Sequence, residues 1–533
     1  MEQTTLNRIP WPSGRVGVLG DEALRRYVET FNAQDDEFIS RYVPNSRAAD
    51  FLSRNIPLLD CPDKQIELTY YFRWWTLRKH IRQTEDGFVF TEFLPQVSWA
   101  GKHNTIDMAA GLHLLESRWM ADHRFAEDYA RFWYTGGGDL HGYTNWLPYA
   151  ALQLAEVTGE DRLLAELYPY FVQDYAVWKG GVSTVYGTLV EPRENGLFYS
   201  YDFFDGGELS LGGHGYRPLF NAAMYSSADT IRRIAEQFGE EETARRFAQE
   251  AQGLRERFHR LLWDEKTQFF KVRYEDGQLA DVKELYGLSP WFFGLPEEGY
   301  AAGFRELDNP DCFRSPYGPT FTQQNHPGFR LLYQGHECQW NGPIWPLATS
   351  LALGGLENLL CDYRDTPVSS RLYTDLMTVY AMSQRRITEE GRILPWIDED
   401  LHPYTGDWIS RTCLKTWEDN HWCPGKGGYE RGKDYNHSSF CNHVISGLIG
   451  IRPRMDNRLV IHPLVSSRQW PWFCLDRVPY HGHSLTIVWD ETGKRYPVGP
   501  GFTVLVDGII RVHRPCLEPV EYLLEEKKKE VRL

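Results

Sequence analysis

The chain has 533 residues, 24% of them charged and 42% hydrophobic, with a formal net charge of −16. It is too long for one small core and calls for a large barrel with an accessory domain, or for two to four ordinary domains. The acidic balance argues against nucleic acid, whose phosphates need a basic face, and against docking on an anionic membrane; a neutral or weakly charged partner is expected.

Residues 1–20 lack a basic start followed by an apolar stretch, and no window approaches 18 uninterrupted apolar residues. Neither a secretory signal nor a membrane span is therefore expected. As written the chain reads as cytoplasmic, although a chain trimmed of its signal would look the same. The nine cysteines are scattered without a CxxC pair, which predicts reduced, mostly buried thiols.

Along the chain, residues 21–31 and 63–81 carry the first helical periodicity, and 104–120 with 122–134 form the next pair. Residues 143–158 and 161–179 follow, parted by a Gly-Glu turn with Asp161 placed to cap. Then come 218–238 and 241–263, broken at Gly239, and later helices over 343–353, 369–386 and 436–449. Paired helices need somewhere to bury their apolar stripes. A closed ring of helical hairpins is one solution; an α-solenoid is the other, but no fixed sequence period supports it. The long loops 180–215 and 306–343 exceed what connection alone requires, which points to function. Past residue 454 the texture turns β-rich, with strands expected over 457–464, 484–490 and 501–514 and turns at 491–493 and Asp507-Gly508. The charged end, 525–533, is expected to fray. This divides the chain into an N-terminal segment (1–60), a helical barrel (61–453) and a β-rich C-terminal domain (454–533).

Aromatic residues are unusually frequent, with 19 Trp, 30 Tyr and 28 Phe. A flat ring with a polar edge is a good platform for the apolar face of a pyranose; any single Trp is better explained by a core, while the excess as a whole leans toward sugar. Cleaving a glycoside without a cofactor takes two carboxyl groups, one protonated to meet the leaving oxygen and one ionised to activate water or attack. Three clusters could supply them. The first holds Asp202, Asp205 and Glu208 in a Gly- and aromatic-rich loop, where aromatics would desolvate a carboxyl and raise its pKa. The second is Asp398-Glu399-Asp400, after Trp396 and before a Pro-x-Thr-Gly turn. The third is Glu418-Asp419, with Glu430 and Asp434 further on. Each cluster also has a plain reading: a turn, a solvated acidic loop, or partners for Arg431 and Lys433. Two stretches combine rings with hydrogen-bond donors, as a sugar-binding wall would: Trp99, Lys102, His103 and Asn104, and Gln339, Trp340, Asn341 and Trp345. Tyr216 and Arg217 close the first acidic loop. His481-Gly482-His483 is read as structural, and no metal or other cofactor is expected.

In this order the blocks resemble the six-hairpin glycosidases, above all glycoside hydrolase family 63 with its mannosylglycerate hydrolases, and the related trehalases. Trp340-Asn341-Gly342-Pro343-Ile344-Trp345 is similar to the W-x-G-P-x-W signature of that family. Asp205-Gly206-Gly207-Glu208 resembles the stretch whose last acid is the general acid. Glu399-Asp400-Leu401-His402-Pro403-Tyr404-Thr405-Gly406 resembles the segment that carries the general base. The resemblance implies a mainly α fold, an (α/α)6 barrel to which the small C-terminal β-rich domain is added, and an inverting glycoside hydrolase working on an oligosaccharide or glycoside; the long loops that would close the barrel favour exo action. It places the acid on Glu208 and the base on Glu399. Glu stands where the family has Asp at the acid, so Asp205 is a rival there; Asp-Leu-His replaces Asn-Tyr-Asn after Glu399, so Glu418 is the rival base. The alternatives are a sugar epimerase or isomerase using His103, His214, His336 or His437, a polysaccharide lyase, and a non-catalytic glycan-binding protein. No oligomeric state is assigned.

Overall fold

The structure is a computed structural model that describes residues 9–10, 16–183, 187, 189–331, 336–416 and 427–525. It is mainly helical, with a strand-rich C-terminal part. Twelve α-helices lie among the described residues: α1 Glu22–Gln34, α2 Asn45–Asn55, α3 Lys64–Lys79, α4 Asp107–Ser117, α5 Arg124–Thr135, α6 Leu147–Thr158, α7 Arg162–Gly180, α8 Pro218–Gln237, α9 Glu241–Leu262, α10 Pro346–Asp362, α11 Ser370–Ser383 and α12 Ile409–Thr416. A 3₁₀ segment, Leu285–Phe293, and a π-helical turn, His443–Leu448, complete the helical set that matters for the site.

Burial sorts the helices into two layers. Every residue of α4 is buried, as is every residue of Leu285–Phe293, so these stand among other helices on all sides. In α9, by contrast, the buried positions are Ala244, Phe247, Ala251, Leu254, Phe258 and Leu262, the three- and four-residue spacing of a helix with one apolar stripe. The inner elements touch in sequence: α4 packs on α6, α6 on α8, α8 on Leu285–Phe293, that segment on α10, and α10 on the π-helical turn. The circuit returns through Glu116 of α4, whose carboxylate accepts from the backbone N–H groups of Phe440, Cys441 and Asn442 at 2.5, 3.0 and 2.7 Å. The outer helices α5, α7, α9 and α11 pack outside this ring.

Local chemistry sets the ends. Asp63 caps α3 by accepting from the N–H groups of Gln65 and Ile66 at 2.9 and 3.1 Å. Asp161 stands at the N-cap of α7 but makes no cap hydrogen bond there, so that expectation is corrected. Residues 436–449 are not one helix either. Residues 435–439 are buried and carry no regular structure, with Ser438 and Asn436 bonded to neighbouring elements, and helical backbone begins only at Cys441 and leads into the π-helical turn.

The C-terminal part holds a five-stranded antiparallel sheet in the order Ile509–Arg514, Gly501–Val506, His483–Asp490, Trp472–Tyr480, Leu58–Asp60. Its last strand comes from the N-terminal segment and pairs Leu59 with Leu475, so the two chain ends share one sheet. His481-Gly482 forms a two-residue hairpin with both residues at positive φ, and His483 bonds Asp507 at 2.7 Å; this is turn chemistry. The eight cysteines among the described residues are free. No helix among the described residues is long and apolar enough to cross a membrane.

Candidate active site

A cavity of about 220 Å³ opens where the inner elements begin. Met108 stands at the start of α4, Tyr143 before α6, Glu208 before α8, Trp345 before α10, and His437 before the π-helical turn. The ring thus delivers one loop after another to the same point. Three carboxyl residues of special interest face it, Glu208, Glu399 and Glu92, together with Glu337.

Glu208 follows a short 3₁₀ turn, Asp202–Asp205, that ends on Gly206 in the left-handed region at φ 61°. Its side chain is partly exposed to the cavity, and the Cys338 thiol lies 3.4 Å from Oε2. Burial pushes the Glu208 carboxyl above its ordinary range, and its own backbone N–H and the weaker thiol bond only partly oppose that. Glu399 sits differently. Arg431 grips it with both ends of the guanidinium fork, Nε to Oε1 at 2.7 Å and Nη2 to Oε2 at 3.0 Å, and uses Nη1 to hold Glu337 at 2.7 Å. Burial disfavours the charge on Arg431, but the two carboxylates hold its pKa above the ordinary range. Its guanidinium also lies 5.1 Å from the centre of the Trp99 ring. The flanking acids are engaged locally: Asp398 accepts from Glu399 N and Trp396 Nε1, and Asp400 from Ser410 N and its hydroxyl.

One segment ties the two loops together. Trp340 N donates to the Glu208 carbonyl at 3.0 Å, and Ile344 pairs with Leu401, two residues past Glu399, through two bonds of 2.9 Å. Trp340 and Trp345 stack on each other at 4.0 Å and 5° and line the cavity. Gly342 lets this segment pass Arg330, whose carbonyl oxygen would lie 2.2 Å from an added Cβ. The tryptophan segment therefore sets the spacing between Glu208 and Glu399.

Several residues expected in the site lie elsewhere. Asp205 does not line this cavity: it is fully buried, bonded to Arg217 Nε at 2.5 Å and to the Thr144 hydroxyl at 2.6 Å. Arg217 is correspondingly its counter-ion, buried to 1% exposure, and no wall residue. Lys102 is exposed and pairs with Asp86 at 2.5 Å, and His103 bonds the same carboxylate at 2.7 Å. Asn104 is buried and fastens the loop beneath Trp99, donating to Phe93 and Pro95 carbonyls and accepting from Val97 N. Tyr216 pairs with Arg273 through the backbone and packs its ring on Tyr199. Gln339 and Asn341 are buried behind the stacked tryptophans, where the Gln339 carbonyl accepts from Trp345 Nε1 at 2.9 Å. Glu418 lies outside the described residues. Of the four histidines considered, His336 and His437 line the cavity. Burial pulls the pKa of His437 down to about 3, so it is a neutral imidazole and a poor proton donor. His214 sits with Asp202 at 3.3 Å, outside.

Asp205→Asn is expected to lower stability by about 3 kcal/mol, because it leaves Arg217 buried without its counter-ion, while kcat changes less than tenfold. Chemical denaturation beside steady-state kinetics checks both halves.

Glu92 is not singled out by any sequence motif. It is 4% exposed, accepts from the Tyr435 hydroxyl at 2.6 Å, and its Oε2 has no hydrogen-bond partner among the described residues. Burial pushes its pKa up to about 8; the Tyr435 bond opposes this, and the charges of Glu399 and Glu208 add to it. A carboxyl raised on folding binds more protons in the native state, so its contribution to stability is present below the unfolded value and is lost as pH rises toward 8. The melting temperature of the wild type should therefore fall more between pH 5 and 8.5 than that of Glu92→Gln. Thermal scans across that range check the difference.

Residues 102–438 match the family described as the mannosylglycerate hydrolase MGH1-like glycoside hydrolase domain, and residues 451–509 match the C-terminal domain of glycosyl hydrolase family 65. Among solved structures, one titled "Sialidase" is 34% identical with a TM-score of 0.85 over 95% of this chain, and this chain spans 45% of its length. A GH78 family rhamnosidase of Bacillus sp. GL1 shares the fold at 14% identity, TM-score 0.50, covering 81% of this chain and 40% of that one. The GH63 mannosylglycerate hydrolase from Thermus thermophilus, in complex with glucose, is 13% identical with TM-score 0.47, over 71% of this chain and 99% of that one. With well over half of its residues in the matched region, the chain belongs to the mannosylglycerate hydrolase MGH1-like glycoside hydrolase family.

Proposed function

We propose that this protein hydrolyses the glycosidic bond of a terminal sugar with inversion, from one end of a six-hairpin (α/α) ring. The observation that carries the reading is the pairing of Glu208 and Glu399 in one cavity, in opposite surroundings. Glu208 meets weak donors, its own backbone N–H and a thiol, and burial favours its protonated form, as a general acid requires. Glu399 faces a guanidinium fork that compensates a negative charge, as a general base requires. In this scheme Glu208 gives its proton to the leaving oxygen while Glu399 takes one from the water that attacks the anomeric carbon. Inversion calls for carboxyls roughly 6.5–9.5 Å apart, leaving room for that water. Trp99 and the stacked Trp340 and Trp345 supply ring faces for the sugar, and Glu92 and Tyr435 supply polar contacts to its hydroxyls.

The small cavity supports action on a chain end: it is below the roughly 300–1,000 Å³ of drug-sized pockets and suits a terminal residue better than a continuous strand. The test is product release from a panel of glycosides and oligosaccharides, resolved by size. Monosaccharide as the first product supports the reading. Internal fragments as first products contradict exo action, and epimerised substrate without cleavage contradicts hydrolysis.

A further inference from the structure

The ring of inner helices has a second end. There, between the C-terminal halves of α4, α6, α8 and α10, lies a cavity of about 850 Å³ that shares no lining residue with the first. Helix C-termini carry partial negative charge and attract guanidinium groups. Arg255 shows such a contact only in part: its Nε donates to the Leu295 carbonyl at 3.0 Å, just past the 3₁₀ segment, and its Nη2 to the Tyr225 hydroxyl.

Capping does not account for all of it. Six arginines line the cavity against four carboxylates. Arg232 pairs with Asp229, Arg233 with Glu156, Arg452 with Glu357 and Asp362, and Arg454 with Asp456. Arg118 and Arg255 have no carboxylate partner among the described residues. Arg118 is 2% exposed; its Nη groups reach only the neutral oxygens of Gln153 at 2.6 Å and Asn442 at 2.9 Å, and its Nε has no partner among the described residues. Burial pulls its pKa down to about 10, and the more distant charges of Glu156 and Glu357 only partly oppose that. A buried charge of this kind is costly unless something supplies the opposite one. Beside it stand the rings of Tyr149 and Phe292, flat faces suited to a sugar ring.

We propose that this cavity is a binding site for a small sugar-sized anion, a sugar acid or sugar phosphate, whose oxyanion is met by Arg118 and Arg255. It is separate from the hydrolytic site and does not depend on the function assigned to that site.

Isothermal titration of the full chain in phosphate-free buffer tests this, with glucuronate, glucose 6-phosphate, inorganic phosphate and glucose as probes. One equivalent of glucuronate or glucose 6-phosphate is expected to bind at least about tenfold more tightly than glucose or inorganic phosphate. The stronger of the two identifies the oxyanion. Asn442→Asp, which sets a carboxylate against Arg118, and Arg255→Gln, at a half-buried position, should each weaken that binding about tenfold. Glu399→Gln should leave it unchanged. Absence of binding by both sugar anions would overturn the proposal, as would equal binding of glucose or of inorganic phosphate. So would an affinity unmoved by both cavity variants, or one lost in Glu399→Gln, which would place the anion in the other cavity.

Discussion

Glu208→Gln is expected to lower kcat by roughly 10²–10⁴-fold on alkyl glycosides and oligosaccharides, whose leaving oxygen needs a proton. The loss should be far smaller on aryl glycosides with acidic phenols, which depart unaided. That contrast belongs to a general acid; a residue that merely shapes the cavity would slow both substrates alike. Steady-state kinetics on a series of leaving groups gives the slope, which should be shallow for the wild type and steep for the variant. Burial raises the Glu208 carboxyl, and its own backbone N–H and the Cys338 thiol offset that in part.

The second large effect falls on stability. Arg431→Leu leaves Glu399 and Glu337, at 2% and 3% exposure, with no guanidinium between them. Removing one member of a buried ion pair costs about 3–5 kcal/mol, because the remaining charge stays buried and uncompensated. Glu399 loses both of its guanidinium bonds at once, so a cost within that range is expected. Urea denaturation checks it, and Glu399→Gln in the Arg431→Leu background should recover part of the loss by removing the charge that the fork had held. Catalysis should fall with the same substitution, since the fork also orients Glu399.

How far the sequence reached follows from burial and from chain separation. Outer helices such as α9 carry one apolar stripe, and the periodicity places α9 to within a residue. Leu285–Phe293 is buried on every side, contains Pro290 and winds as 3₁₀, so no stripe marks it. Residues 436–439 read as helical but carry no regular structure, their polar side chains bonding instead to Arg73 of α3 and to the Thr91 carbonyl. In the site, Glu208, Glu399 and the paired tryptophans are legible as motifs. Their organisation is not: Arg431 could have served any acid near it in the chain, yet it reaches Glu399, 32 residues away, and Glu337, 94 residues away. Glu92 meets Tyr435 across 343 residues, and only the closed ring brings them together. Asp205 and Arg217 have the residue types of a site, but fully buried they serve one another.

The most direct test of the central claim is the anomeric configuration of the first-formed sugar, followed by ¹H NMR during hydrolysis by the wild type before mutarotation sets in. The account predicts the anomer opposite to that of the substrate, because Glu399 works on water and forms no bond to the sugar. Release of the anomer matching the substrate would contradict it, since that result requires a nucleophile attached to the sugar and assigns Glu399 or a neighbour another role.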